Sequence, residues 1–315
     1  MRSATTESLK RPGCKSGASE AGLKVVGGPS SLGLSARVAG ELGVPSVKVA
    51  FKRFPDGEFY FKYEEEVADE DLLLVQSLYP PQEQHLFELL AMSHAAKDLG
   101  ARSVVAYVPY LAYSRQNRRF LNGEAVTSTL VAQLLERAGI DALYTVDVHN
   151  KGILSRYTVP AVNLTAADEL ARYFTARDLK RPLLVAPDDE ADAQERVKTA
   201  AEAVGGDHVF LEKRRDRRTG QIVTEEKKVE AAGRDAIIID DIISTGHTAA
   251  NAARLLKKMG ALRVFVGVTH AMPTQGTLGL LREAGVDEAV STDSIPCVIS
   301  RVSTASILVR ALRTG

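Results

Sequence analysis

Eight short aliphatic or β-branched runs, separated by stretches of helical periodicity, organise the chain from Leu23 onward. They occupy residues 23–26, 72–76, 103–108, 142–147, 183–186, 208–211, 236–240 and 264–269. Several are apolar at nearly every position, which suits strands covered on both faces rather than a half-wet antiparallel sheet. Alternation with helices predicts an α/β fold with mainly parallel sheets. Between the runs, residues 124–138 place Val126, Leu130, Val131, Leu134 and Leu135 on one helical face, with Gly139 closing the helix. Residues 248–258 repeat the pattern with Ala252, Leu255, Leu256 and Met259, closed by Gly260.

A buried strand that ends in an acidic residue occurs at 142–147 and again at 236–240, which predicts two α/β halves. The changeover is expected after residues 157–164, where Pro160 and Asn163 interrupt the pattern before a helix near Thr165. The expected division is a flexible tail over 1–22, with a transit peptide as the alternative reading of it, a first domain over 23–164 and a second over 165–301. The C-terminal residues 302–315 are expected to form an amphipathic helix able to pack back on the first domain.

Composition excludes several classes. The 315 residues balance 40 Lys and Arg against 40 Asp and Glu, so neither a general nucleic-acid binder nor an anionic-membrane binder is expected. No apolar run approaches the ~18–20 residues that cross a bilayer, and the tail lacks the apolar core of a signal peptide. Cys14 and Cys297 stand far apart with no framework spacing, so a reducing cytoplasm is the expected location. Charged ligands must then be met by local clusters. Cations gather at 115–119 and 213–218, and carboxylates at 188–190 and at Asp240 and Asp241.

The sharpest local signal spans residues 237–248, Ile-Ile-Ile-Asp-Asp-Ile-Ile-Ser-Thr-Gly-His-Thr. A buried strand delivers Asp240 and Asp241 to its end, and Ser244, Thr245, Gly246, His247 and Thr248 open a helix. Such a loop offers N–H groups, hydroxyls and a helix N-terminus to a phosphate monoester. Vicinal carboxylates can hold sugar hydroxyls or a hard cation. A capped helix after a strand is the plainer alternative. Arg115, Arg118 and Arg119 lie in a turn where guanidiniums can bind phosphate or stack on a base, unless the turn is merely a solvated basic loop. His149 follows an apolar strand and an aspartate, so it is expected at a sheet's carboxyl edge, as a ligand or as a structural histidine. The run Lys213-Arg214-Arg215-Asp216-Arg217-Arg218 is the one strongly basic stretch, which by composition alone reads as a solvated hairpin turn or a small nucleic-acid patch.

The 237–248 segment resembles the PRPP-binding motif of type I phosphoribosyltransferases and ribose-phosphate pyrophosphokinases. Other segments single out the pyrophosphokinases. Arg53-Phe54-Pro55-Asp56-Gly57-Glu58 is similar to that family's nucleotide-contacting loop, and Tyr113-Ser114-Arg115-Gln116-Asn117-Arg118 to its adenosine and phosphate segment. Asp147-Val148-His149 and Pro187-Asp188 are similar to its two strand-end motifs, and Lys213-Arg214-Arg215 to its mobile catalytic loop. The spacing at 122–127 and at Ser244-Thr245-Gly246 is closer to the archaeal-type branch. The resemblance covers nearly the whole chain and implies two doubly wound phosphoribosyltransferase-type domains. It further implies Mg2+-dependent transfer of diphosphate from ATP to ribose 5-phosphate.

By the same resemblance, Phe54, Asp56, Glu58, Arg115, Gln116 and His149 bind ATP, while Asp240, Asp241, Ser244, Thr245, Gly246, His247 and Thr248 bind ribose 5-phosphate. His149 and Asp188 hold the metal, and Lys213 and Arg215 act in catalysis. A nucleotide site shared between subunits implies at least a homodimer. The resemblance leaves two alternatives open, a non-catalytic regulatory homologue and a phosphoribosyltransferase. Three positions depart from the family pattern. Glu190 replaces a glycine beside the expected ribose and pyrophosphate site, Asn117 stands where Asp is frequent, and His247 where a small residue is common. Glu190 is expected to add bulk and repulsion toward phosphate.

Overall fold

A computed structural model of the chain describes residues 22–119, 121–215, 222–225 and 230–314. The described residues divide into two compact units. One runs to Leu164 and regains the chain at Thr304; the other is Thr165–Ser303.

The first unit contains β1 (Leu23–Gly27), α1 (Leu32–Leu42), β2 (Val49–Arg53), β3 (Phe59–Tyr63), β4 (Asp71–Val75), α2 (Gln82–Asp98), β5 (Ser103–Tyr107), α3 (Thr127–Arg137), β6 (Ala142–Val146) and β7 (Ala161–Leu164). Its five-stranded sheet has the order β1-β4-β5-β6-β7, every pair parallel. β4 is buried from Leu72 to Val75, as a strand covered on both faces must be. Val26, Leu72, Leu74, Val104 and Ala106 share one face and cluster with Leu86, Leu89 and Met92 of α2 and Val131 and Leu135 of α3. Tyr107 alternates to the opposite face, and its hydroxyl donates to the carbonyl of Thr304, 2.9 Å away. β2 and β3 form a separate antiparallel hairpin, with Val49 paired to Tyr63 and Arg53 to Phe59.

The second unit contains α4 (Ala167–Thr175), β8 (Leu183–Ala186), α5 (Ala191–Val204), β9 (Asp207–Phe210), β10 (Glu212–Arg215), β11 (Ile222–Glu225), β12 (Asp235–Ile243), α6 (His247–Lys258), β13 (Arg263–Ala271), α7 (Thr277–Glu283), β14 (Glu288–Thr292) and β15 (Ser300–Val302). The chain then returns to the first unit as α8 (Ala305–Thr314), which packs on α1. The six-stranded sheet has the order β15-β14-β13-β12-β8-β9, again parallel. Alanines of α6 and Leu256 cover one face. On the other, Gly267 of β13 leaves room for α4, because a Cβ there would stand 3.3 Å from that of Leu170. Phe174 of α4 then reaches Phe265, ring centroids 5.1 Å apart. β10 and β11 form a separate antiparallel ladder with Lys213 opposite Thr224 and Arg215 opposite Ile222.

Several local expectations are corrected. Residues 161–164 are not an interruption but the edge strand β7, in register with β6 from Leu143↔Ala161 to Val146↔Leu164. Pro160 ends a loop there and its carbonyl accepts from Leu143. α3 begins at Thr127 rather than at 124, because Glu124 is engaged in a turn: its carboxylate accepts from the Leu121 N–H and its carbonyl from Arg119. Only Val131 and Leu135 of the expected apolar face are buried, whereas Leu130 and Leu134 are 53% and 36% exposed. Val302 ends strand β15, and the C-terminal helix begins at Ala305 rather than at 302. The tail over 1–21 and residues 216–221 lie outside the described residues.

Candidate active site

β8 and β12 are neighbours in the second sheet, yet the chain leaves β8 toward β9 on one side and builds β13, β14 and β15 on the other. Strand order therefore reverses between β8 and β12, and the crevice at the carboxyl ends flanking such a point is where open α/β sheets bind ligands. Asp188 stands two residues past β8, and Asp240 and Asp241 lie in the last half of β12. The Ile238↔Val185 register brings these three aspartates to the same edge.

Asp240 and Asp241 are both buried. The Asp241 N–H donates to the Asp240 carboxylate at 2.9 Å. Burial, and then the neighbouring charge of Asp241, push the Asp240 carboxyl well above the usual carboxylate range; Asp188 adds to the rise and Arg196 opposes it. Arg196 lies on α5, itself buried, 4.0 Å from an Asp241 oxygen. This arginine was missed by the sequence reading. Its signal was position, since it falls on the same helical stripe as Ala193, Val197 and Ala200, where a solvated arginine has no place.

Beyond β12 the chain turns at Gly246, whose φ of 81° is left-handed, and enters α6. A side chain there would be strained, and its Cβ would stand 3.0 Å from Thr277 Cγ2. Thr277 braces the turn by donating its hydroxyl to the Ser244 carbonyl at 2.8 Å. Thr245, His247 and Thr248 are exposed and Ser244 is half-buried, so hydroxyls and the first α6 N–H groups open outward together. Residue 190 has φ −65° and ψ 139°, a conformation open to any residue, and Glu190 is exposed. The backbone therefore makes no demand for glycine at that position. The Leu211 N–H bonds the Ala186 carbonyl at 3.0 Å, so β10, with Lys213 and Arg215, starts beside the end of β8.

The first unit carries the remaining candidates. Phe54, Asp56 and Glu58 share the β2–β3 turn, closed by Phe54 N–H to Glu58 carbonyl at 2.9 Å and by Glu58 N–H to the Asp56 carboxylate at 3.1 Å. Phe54 is 40% exposed and stands edge-on to Tyr60, with Lys52 Nζ 4.7 Å from its ring centroid. Arg115 and Gln116 are exposed, and Gln116 is tied to the start of α3 by the Thr127 hydroxyl. Asn117 offers its carbonyl to Arg156. His149 is half-buried just past the carboxyl end of β6.

No group of three or more His, Cys, Asp or Glu side chains stands at metal-binding spacing among the described residues. Mg2+ needs no such cage, since it is commonly held by one or two carboxylates with substrate phosphates and water. The aspartate edge of β8 and β12 fits that mode, because a divalent cation would offset the repulsion that raises the Asp240 carboxyl. His149 brings a softer donor than Mg2+ favours.

An acidic switch point followed by a hydroxyl-rich loop and a helix N-terminus defines a parallel α/β protein built to receive a phosphorylated ligand. Residues 23–139 match the family model for the N-terminal domain of ribose phosphate pyrophosphokinase, and residues 224–310 match that of the phosphoribosyl synthetase-associated domain. The ribose-phosphate pyrophosphokinase of Sulfurisphaera tokodaii is 35% identical over 284 residues, spanning 90% of this chain and 97% of its own. That of Methanobrevibacter smithii is 38% identical over 301 residues, spanning 92% and 99%. The crystal structure of phosphoribosylpyrophosphate synthetase from Mycobacterium smegmatis superposes with a TM-score of 0.81 at 28% identity, covering 93% of this chain and 98% of that one. The chain belongs to the ribose-phosphate pyrophosphokinase family. No described helix is long and apolar enough to cross a membrane.

Proposed function

We propose that this chain is a ribose-phosphate diphosphokinase that transfers the β,γ-diphosphoryl group of ATP to the anomeric hydroxyl of ribose 5-phosphate. The observation that carries the reading is the β12–α6 turn, with two buried aspartates before it and exposed hydroxyls at a helix N-terminus after it. The sugar oxygen bonds the β-phosphorus, the bond from that phosphorus to the α,β-bridging oxygen breaks, AMP departs with that oxygen and the hydroxyl proton is released to solvent.

Ser244, Thr245, Gly246, His247 and Thr248 hold the 5-phosphate through N–H groups and hydroxyls, and Asp240 and Asp241 accept the ribose hydroxyls. Phe54, Asp56, Glu58, Arg115, Gln116 and His149 grip the nucleotide. Lys213 and Arg215 stabilise negative charge that accumulates on the phosphoryl oxygens. Asp188 in the second unit and His149 in the first would each offer a ligand to Mg2+, which would supply charge neutralisation to the ATP phosphates. Two domains, 23–164 with the C-terminal helix and 165–301, divide these roles. The working form is a cytoplasmic homo-oligomer, at least a dimer, with the nucleotide site shared between subunits.

The test is direct. The purified chain with Mg2+, ATP and ribose 5-phosphate yields AMP and PRPP in equal amounts; absence of AMP across a range of Mg2+ and phosphate concentrations overturns the reading and leaves the non-catalytic homologue.

A further inference from the structure

α2 carries a carboxylate where its buried face should be apolar. Glu88, 1% exposed, sits among Leu86, Leu89 and Met92 on that face. Burying a charged side chain is costly unless donors surround it, and here they do. One oxygen accepts from Arg53 at 2.6 Å and from the Gln84 amide at 3.2 Å. The other accepts from the Gln76 amide at 3.0 Å. Gln76, fully buried, gives its second amide hydrogen to the His85 carbonyl at 3.3 Å, and its own oxygen accepts from the Ser30 N–H and hydroxyl at 3.1 and 2.8 Å. The carboxylate is thus pinned from the core side and has one charged partner on the outer side.

That partner is the last residue of β2. Arg53 uses one guanidinium nitrogen for Glu88 and the other for the Gly57 carbonyl at 3.1 Å, inside the β2–β3 turn. Gly57, at φ 95°, donates its own N–H back to the Phe54 carbonyl at 2.9 Å. The chain of contacts runs from the packed core through Glu88 and Arg53 to the backbone of the turn that presents Phe54, Asp56 and Glu58. The hairpin belongs to neither large sheet, so side-chain ties to the core decide how firmly its turn is held. A guanidinium fork between a fixed carboxylate and a carbonyl does this with little loss of freedom on formation.

We propose that Glu88 is a positioning residue for nucleotide binding: through Arg53 it fixes the 54–58 turn in the geometry that receives ATP. The inference rests on the nucleotide role given to that turn under Proposed function. Glu88 touches no substrate, so its effect is preorganisation, which shows in ATP affinity and spares the ribose 5-phosphate site of the other unit.

Steady-state kinetics of the full-length protein, with ATP and ribose 5-phosphate varied separately, test this. Glu88→Gln is expected to raise KM for ATP about tenfold, the scale of one lost charged hydrogen bond, with kcat and KM for ribose 5-phosphate within about twofold of the parent. Arg53→Met, at a position 37% exposed, is expected to give the same split, and the double variant no more than the larger single effect. Equal changes in both KM values, a loss confined to the amount of active protein, or additive single effects overturn the inference. If Glu88→Gln does not fold, Arg53→Met decides: an unchanged KM for ATP rejects the coupling. Asp56→Asn separates the two readings. If it raises KM for ATP while Glu88→Gln and Arg53→Met do not, the positioning role alone fails. If Asp56→Asn and Phe54→Ala both leave it unchanged, the nucleotide role of the turn fails, and the inference with it.

Discussion

Asp240 and Asp241 are consecutive on β12, both buried, and joined by the Asp241 N–H bond to the Asp240 carboxylate at 2.9 Å. Two negative groups are thereby held together in the last half of a strand, directly after the apolar stretch 236–239, with Arg196 at 4.0 Å from Asp241 as partial compensation.

Asp240→Asn is expected to stabilise the ligand-free protein. Burial and the Asp241 charge raise the Asp240 carboxyl in the folded state, so its favourable contribution is complete below the unfolded value and is lost as pH rises through the folded one. The variant's advantage should therefore vanish near pH 4 and grow toward neutral pH, with a melting temperature roughly 2–4 °C higher at pH 7.5. Activity should fall at the same time, as expected where function retains a destabilising group. Thermal unfolding against pH checks this; an unchanged or lower melting temperature at neutral pH contradicts it.

Gly246→Ala places a Cβ at φ 81° and 3.0 Å from Thr277. The strain costs about 1–2 kcal/mol, and relief by rotating the turn moves the N–H groups at the α6 entrance. Chemical denaturation and KM for ribose 5-phosphate should both register the change, while KM for ATP stays put.

Lys213→Ala is expected to lower kcat by roughly two to three orders of magnitude with KM for ATP nearly constant, because its contact is assigned to charge that develops only in the transition state. A rise in KM with kcat preserved would assign Lys213 to ground-state ATP binding instead.

Glu190→Gly is expected to lower KM for ribose 5-phosphate if the exposed carboxylate repels phosphate. Residue 190 has ordinary extended dihedrals, so Glu190→Ala should act as strongly as Glu190→Gly. A glycine-specific gain would mean that the backbone here rearranges when ligand binds.

Legibility in the sequence followed the range of the interaction. The runs at 72–76 and 236–240 announced buried parallel strands because all but the last residue of each is apolar, a local property, and β4 and β12 fall there. β7 was hidden, since Pro160 and Asn163 look like an interruption and only pairing with β6 makes 161–164 a strand. Helical spacing gave Leu130 and Leu134 an apolar neighbour that the fold of one chain does not supply. Neither β2 nor β3 was among the expected strands: Phe59, Phe61 and Tyr63 alternate in β3, but its partner β2 is weakly patterned.

By itself the sequence determined the α/β class, the family resemblance and the site motifs, because these rest on composition of short segments and on fixed spacing along the backbone. Tertiary structure decided what those segments face. It set Asp188 and Asp240 on adjacent strand ends at a switch point, and it brought Arg196 from α5 toward them. It also tied Arg53 to Glu88, 35 residues away in sequence. Those pairings depend on strand order and helix docking, and no periodicity within one segment encodes which distant segment will lie beside it.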